Sequence, residues 1–288
     1  MGNLCCQDMA IGLVIFNPAK SIKIIENYYE MIKQFEKFNL PFFTLELVYD
    51  GKPQICEAYH IYGKSIMFHK ENLCRILETK IPRKFKKIAF LDADVLFDDS
   101  DWYLKTSIAL DYYNIVQPFE KCYWLDSEKR IILERQTVLK MTSKKWDYNY
   151  HPGFGWAFQR EWYNKIGFFD YAVTGSGDTL SAIKWLDKEV PKNYTSLPHP
   201  LKNEFSKFCL EKPTISFIPG IVRHLFHGNL KNRKYVERHE ILNLKEDILD
   251  LIYKNSENLF QWKNPEMSIK LKNYFISRND DDEIVLTS

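Results

Sequence analysis

At 288 residues the chain can form one large domain or two modest ones, at roughly 100–200 residues per domain. Forty Lys and Arg against 38 Asp and Glu leave a formal net charge of +2, too even for a general nucleic-acid binder, whose basic excess is gathered in patches. Hydrophobic residues make up 45% and aromatics 15%, which excludes wholesale disorder and allows both a large core and flat faces along a cleft. No apolar run approaches the ~18 residues of a membrane-crossing helix. The polar start Met1–Asp8 and the short run Ile11–Phe16 make no signal peptide, so a cytoplasmic setting is expected. The six cysteines form no C-x-x-C pair and read as reduced thiols that fill the core. At the N-terminus, Gly2 is a weak candidate for myristoylation and Cys5 and Cys6 for palmitoylation, although Cys6 stands where the acylation motif wants Ser or Thr.

In chain order, Ala10–Phe16 is a continuous apolar run that reads as a buried parallel strand, stopped by Asn17-Pro18. Ile22, Ile25, Tyr29, Ile32, Phe35 and Phe38 then recur at helical spacing. Phe42–Tyr49 reads as a second strand, His69–Leu77 as a helix, and Ile88–Leu91 as a third strand that runs into Asp92. Strand and helix in alternation predict a mainly parallel α/β sheet with right-handed crossovers, whose ligands bind beyond the carboxyl ends of the strands. After Asp101 the pattern becomes α+β: strands over Asn114–Phe119 and Ile215–Pro219, short helices over Trp162–Phe169 and Thr179–Trp185, and a charged helix over Tyr235–Tyr253. The acidic stretch Asn279–Asp282 reads as a frayed tail. The expected organisation is an N-terminal segment 1–9, a catalytic domain 10–238, and a C-terminal helical extension and tail 239–288.

Three constellations carry chemistry. In Lys86–Phe97 a buried strand delivers Asp92 and Asp94, either side of Ala93, to a loop that could turn both carboxylates toward one hard cation. Such an ion keeps open positions for phosphate oxygens and neutralises a departing diphosphate; the plainer alternative is a strand end with solvated acids. In His151–Asp170, Gly153 and Gly155 permit close backbone approach, and Phe154 and Trp156 offer faces for a sugar ring or base. Gly175-Ser176-Gly177-Asp178 follows, where the carboxylate is either a general base for an acceptor hydroxyl or a cap on the helix beginning near Thr179. In Pro219–Arg238, His224 and His227 lie among Arg223, Lys231, Arg233, Lys234 and Arg238. An imidazole there could complete the metal site and the bases could grip a diphosphate.

Asn17-Pro18 after a strand, then FHKENL (68–73), FLDAD (90–94), HPGFGWA (151–157), GSGD (175–178) and RHLFHG (223–228), in this order, resemble the GT-A class of nucleotide-sugar glycosyltransferases. More narrowly they resemble the glycosyltransferase-like proteins of phages and large DNA viruses, over about 12–238 and weakly to 278. The resemblance implies a GT-A-type, Rossmann-like sheet and a manganese or magnesium ion held by Asp92 and Asp94 together with His224 or His227. It implies a nucleotide-sugar donor, with UDP favoured, contacted by Phe16, Asn17, Glu46, His69, Lys70, Ala93, His227, Gly228, Lys231 and Arg233. It implies an acceptor hydroxyl near Gly153, Phe154, Gly155 and Trp156, with Asp178 as the base of an inverting transfer. The chain departs from the β-1,4-galactosyltransferase pattern at Gly175–Thr179, which lacks consecutive acids. Two other readings compete: a nucleotidyltransferase, and a non-catalytic carbohydrate-binding protein on the same fold.

Overall fold

The computed structural model describes residues 8–191 and 197–282, so Gly2, Cys5 and Cys6 lie outside the described residues. The first half contains the five expected elements and three more: β1 (Met9–Phe16), α1 (Ile22–Lys37), β2 (Phe42–Val48), β3 (Tyr59–Tyr62), α2 (Lys70–Lys80), β4 (Lys87–Leu91), β5 (Val95–Phe97) and α3 (Trp102–Ala109), of which β3, β5 and α3 are the additions. Next come β6 (Ile115–Gln117), β7 (Lys121–Leu125), β8 (Ile131–Thr137), β9 (Tyr150–His151), β10 (Gly155–Gln159), α4 (Arg160–Lys165) and α5 (Gly177–Trp185). The rest is α6 (Lys202–Lys207), β11 (Ile215–Phe217), β12 (Ile221–His224), α7 (Ile248–Leu251), β13 (Ile252–Lys254), β14 (Phe260–Trp262) and α8 (Glu266–Ser277).

Seven strands form the main sheet in the order β11-β6-β10-β4-β1-β2-β3, with β10 antiparallel to both neighbours and the other pairs parallel. The fold class is thus the expected one, a mixed, mainly parallel sheet flanked by helices. β1 reads as an unbroken apolar run because both its faces are buried. Met9, Ile11, Leu13 and Ile15 pack into the core beneath α1 and α3, while Ala10, Val14 and Phe16 face the core that contains α2 and α5. β4 alternates likewise, Ala89 and Leu91 to one side and Ile88 and Phe90 to the other. A smaller sheet, β5-β12-β7-β8-β9, stands beside the first. No helix among the described residues is long and apolar enough to cross a membrane.

Three expectations change. The buried face of α1 is Tyr28, Met31, Ile32 and Phe35, whereas Ile22, Tyr29 and Phe38 are exposed. Two overlapping stripes share helical spacing, and the buried one is fixed by packing on β1 and by the Tyr28 hydroxyl, 3.0 Å from Thr44 Oγ1. Residues 235–253 form no single helix but a 3-10 turn over Glu237–Leu242, then α7 and the start of β13, so that Leu242, Ile248 and Ile252 reach the core. Nor is 279–282 a frayed tail: Asp280 is 5% exposed, and Asp281 Oδ1 accepts from Ser21 Oγ (2.6 Å) and from the Lys23 N–H (2.8 Å), capping α1 from the far end of the chain.

Candidate functional site

A cavity of about 950 Å³ opens beyond the carboxyl ends of β1 and β4 and is walled by the start of α5, the residues after β12 and the end of α8. That location is the one a parallel sheet predicts for its ligand. β4 ends at Leu91, and the Asp92 N–H donates to the Phe154 carbonyl (2.9 Å) before the chain turns through Ala93 and Asp94 into β5. β5 pairs antiparallel with β12, with Val95 opposite His224, and the Leu225 N–H donates to the Asp94 carbonyl (2.8 Å). Register thus brings Asp94 and His224 together. Asp94 Oδ2 lies 3.5 Å from His224 Nε2 and 2.9 Å from His227 Nε2, and the two imidazole nitrogens are 3.3 Å apart.

Asp94, His224 and His227 can thus turn one ligand atom each toward a common point, all within 4.8 Å of one another. Asp94 Oδ1 is buried without a hydrogen-bond partner. Burial tends to raise the Asp94 carboxyl, but His224, His227 and Arg233 outweigh it and hold the group well below its ordinary range. Burial pushes His224 down to about 3, so it presents a neutral imidazole. One carboxylate and two imidazoles suit a divalent ion of intermediate softness. His227 Nδ1 lies 3.3 Å from Asp280 Oδ1, which also accepts from Arg278 Nη2 (3.0 Å). A carboxylate behind a ligating imidazole is the usual means of fixing its orientation.

Asp92 points elsewhere. It forms an ion pair with Lys70, whose Nζ is also 3.8 Å from Asp178 Oδ2, so Asp92 joins the Lys70–Asp178 group and not the three-residue cluster. Asp178 lies in the first turn of α5, and the cap position belongs to Ser176, a non-glycine residue held at φ 69° after Gly175 at φ 95°. Arg238 Nη2 donates to Ser176 Oγ (2.9 Å), and His239 Nε2 lies 3.3 Å from the same hydroxyl. That strained turn delivers Asp178 to the cavity. A Cβ at Gly153 would come within 2.7 Å of Asp178 Oδ2 and 2.9 Å of His151 Nε2, so the two side chains face the same point and a glycine is needed between them. Glu71 adjoins Lys70 on α2 and lines the cavity; burial raises its carboxyl to about 8.

The remaining wall is cationic. Arg233, Arg238 and Arg278 line it with the exposed Lys231. Arg233 Nη2 rests 2.8 Å from His227 Nε2, while Arg233 Nε and Arg278 Nε are buried without partners. Burial, and then the nearby Arg278, depress Arg233. Crowded guanidiniums with unmet donors are chemically suited to an anion.

The other expected site residues divide. Phe16, Asn17, Ala93, Gly153 and Phe154 line the cavity, although Asn17 also spends its amide on Ser21 O (2.8 Å) and Gln54 Oε1 (3.1 Å). Glu46 is outside it, accepting from the N–H groups of Gln54 (2.8 Å) and Ile55 (3.0 Å) and so holding the loop after β2. His69 is fully buried on Ser65 O (2.9 Å), and Gly228, at φ 81°, packs on Asn279. Trp156 offers no face to a ligand. It alternates inward from β10, its ring 5.1 Å from Trp185 and its Nε1 donating to Pro152 O (2.7 Å). Phe154 is 4% exposed because His224 stacks on it at 4.9 Å. Gly155 packs on Leu91, and Arg223 pairs with Asp98 (2.6 Å) away from the cavity. Unforeseen were Glu71, Trp124, Arg135, Arg278 and Asp280. The first lies inside the FHKENL motif, so its position was a usable signal; the last two sit in a stretch whose charge alone reads as solvated.

No protein-family model and no curated protein matches the chain. Among solved structures it is similar to residues 1–349 of TarS from S. aureus, with TM-score 0.44 and 11% identity over 84% of this chain and 67% of that one. It is similar to GalNAc-T7 with UDP, GalNAc and Mn2+ (TM-score 0.40, 11% identity), covering 81% of this chain and 48% of that one. It is similar also to 4-diphosphocytidyl-2C-methyl-D-erythritol synthase from Anaerococcus prevotii (TM-score 0.35, 11% identity, 74% of this chain and 86% of that one).

Proposed function

We propose that the chain is a metal-dependent glycosyltransferase, moving a sugar from a nucleotide sugar to a hydroxyl acceptor with inversion. One observation carries this reading: a cavity lined by three side chains able to hold a metal, by guanidinium groups with unmet donors, and by a carboxylate beside them. Phe16 and Asn17 flank the nucleotide, and Lys231, Arg233, Arg238 and Arg278 take the diphosphate. Asp94, His224 and His227 hold the divalent ion, with manganese and UDP the choices implied by the motif resemblance. When bound, the ion neutralises charge on the departing diphosphate. Asp178 accepts the proton of the attacking hydroxyl, and the Lys70 ammonium, shared between that carboxylate and Asp92, offsets their mutual repulsion. In this reading 10–238 is the catalytic domain, and 239–282 completes its cationic wall.

Calorimetric titration tests it. UDP is expected to bind in the presence of Mn2+ and to lose about ten- to a hundredfold in affinity after chelation, since charge-assisted contacts are the strong ones. Chelator-insensitive UDP binding overturns the metal assignment. Preferential binding of a nucleoside triphosphate, with turnover, favours the nucleotidyltransferase, and a protein that binds sugars but no nucleotide favours the non-catalytic reading.

A further inference from the structure

The same cavity has a wall that the donor does not need. On β8, Leu133 and Arg135 both line the cavity, while Glu134 between them turns away to Lys121 (3.3 Å), as strand alternation requires. Trp124 on β7 stands opposite Leu133 in the ladder, and the Arg135 guanidinium carbon lies 5.6 Å over its indole ring. Arg75, Arg130, Arg160 and Arg223 each hold a carboxylate. Arg135 has none among the described residues, although it is only partly exposed. A guanidinium seated on an aromatic face keeps its N–H edge free, and that edge matches a carboxylate or phosphate.

The wall is continuous with the candidate base. The Trp124 ring is 4.7 Å from that of His151, and His151 Nε2 is buried with no hydrogen-bond partner. His151 Nε2 and Asp178 Oδ2 both face the point beside Gly153 described above. From Asp178 the wall therefore runs through an unmet imidazole nitrogen and an indole to an unpaired cation. A molecule that has its hydroxyl at Asp178 and extends along this wall would pass His151 and Trp124 before it meets Arg135.

We infer that this wall is the acceptor subsite and that Arg135 selects an acceptor bearing an anionic group, carboxylate or phosphate, near the hydroxyl that is glycosylated. The inference rests on the proposed function for the role of Asp178, but the anion preference can be measured without it. Ligand-observed NMR with methyl β-D-glucuronide, glycerol 3-phosphate and methyl β-D-glucoside, with and without UDP and Mn2+, provides the test. At least one acid is expected to bind about ten- to a hundredfold more tightly than the glucoside, the range of a charge-assisted hydrogen bond. Preference for the glucuronide assigns a carboxylate source, and preference for glycerol 3-phosphate a phosphate source. In Arg135→Gln the preference should vanish while the UDP titration with Mn2+ stays unchanged, and Arg135→Lys should recover part of it. Equal binding of all three probes by the wild type overturns the inference, as does a preference that survives in Arg135→Gln. Arg135-dependent acid binding by a protein that takes no UDP would leave the inference standing and remove the glycosyltransferase reading.

Discussion

Asp178 and Glu71 lie on one cavity wall yet have opposite expected signatures. Asp178→Asn removes a proton acceptor without changing shape, so UDP affinity should persist while turnover falls on the order of 100- to 10,000-fold. Product NMR should show an inverted anomeric centre; retention would exclude Asp178 from the role. Glu71 is a stability matter. Its carboxyl is raised by burial from an ordinary value of 4.5 to about 8, so the folded state keeps a proton that the unfolded chain releases. The stability linked to that proton is complete below pH 4.5 and is lost as pH rises toward 8. Glu71→Gln, neutral at every pH, should therefore gain on the wild type across that interval, by up to a few kcal/mol at about 1.4 kcal/mol per unit. Thermal melts of both proteins at pH 4.5, 6 and 8 check this, and a constant difference would contradict it.

At the scale of elements, one side chain joins α4 to the end of α2. Arg160 is 5% exposed; its Nε donates to Glu78 Oε1 (2.6 Å), its Nη2 to the carbonyls of Glu78 (2.7 Å) and Ile81 (2.8 Å), and its Nη1 to that of Pro82 (2.8 Å). It therefore satisfies carbonyls that a helix C-terminus leaves open. Arg160→Ala leaves the buried Glu78 carboxylate with the exposed Arg83, at 3.6 Å, as its remaining ion-pair partner, and should cost about 3–5 kcal/mol in denaturant unfolding. The link lies outside the cavity, so UDP affinity of the folded variant should not change. The strands themselves were legible because runs such as IAFL have to be buried on both faces. Which face of α1 was buried was not, because Ile22 and Tyr28 belong to stripes of equal helical period and only the neighbouring sheet distinguishes them.

Over the whole molecule, residues 278–281 reach back to segments distant in sequence. Asp281 caps α1, and Arg278 and Asp280 stand behind His227. A chain ended after Ser277 should keep its sheet, as followed by circular dichroism, yet lose about 10- to 100-fold in Mn2+ affinity, the usual effect of removing a group that orients a ligand. Unaltered affinity would show that His227 needs no such support. The sequence by itself determined the alternation of strand and helix, the parallel sheet, and the delivery of Asp92, Asp94 and Asn17 to its carboxyl edge, because apolar periodicity and turn residues act locally. The tertiary structure alone decided that Asp94 joins His224 and His227 while Asp92 goes to Lys70, that Trp156 turns inward, and that residues 278–281 complete the site. Those outcomes depend on strand register and on contacts between residues far apart in the chain, and local spacing does not encode which distant group arrives opposite.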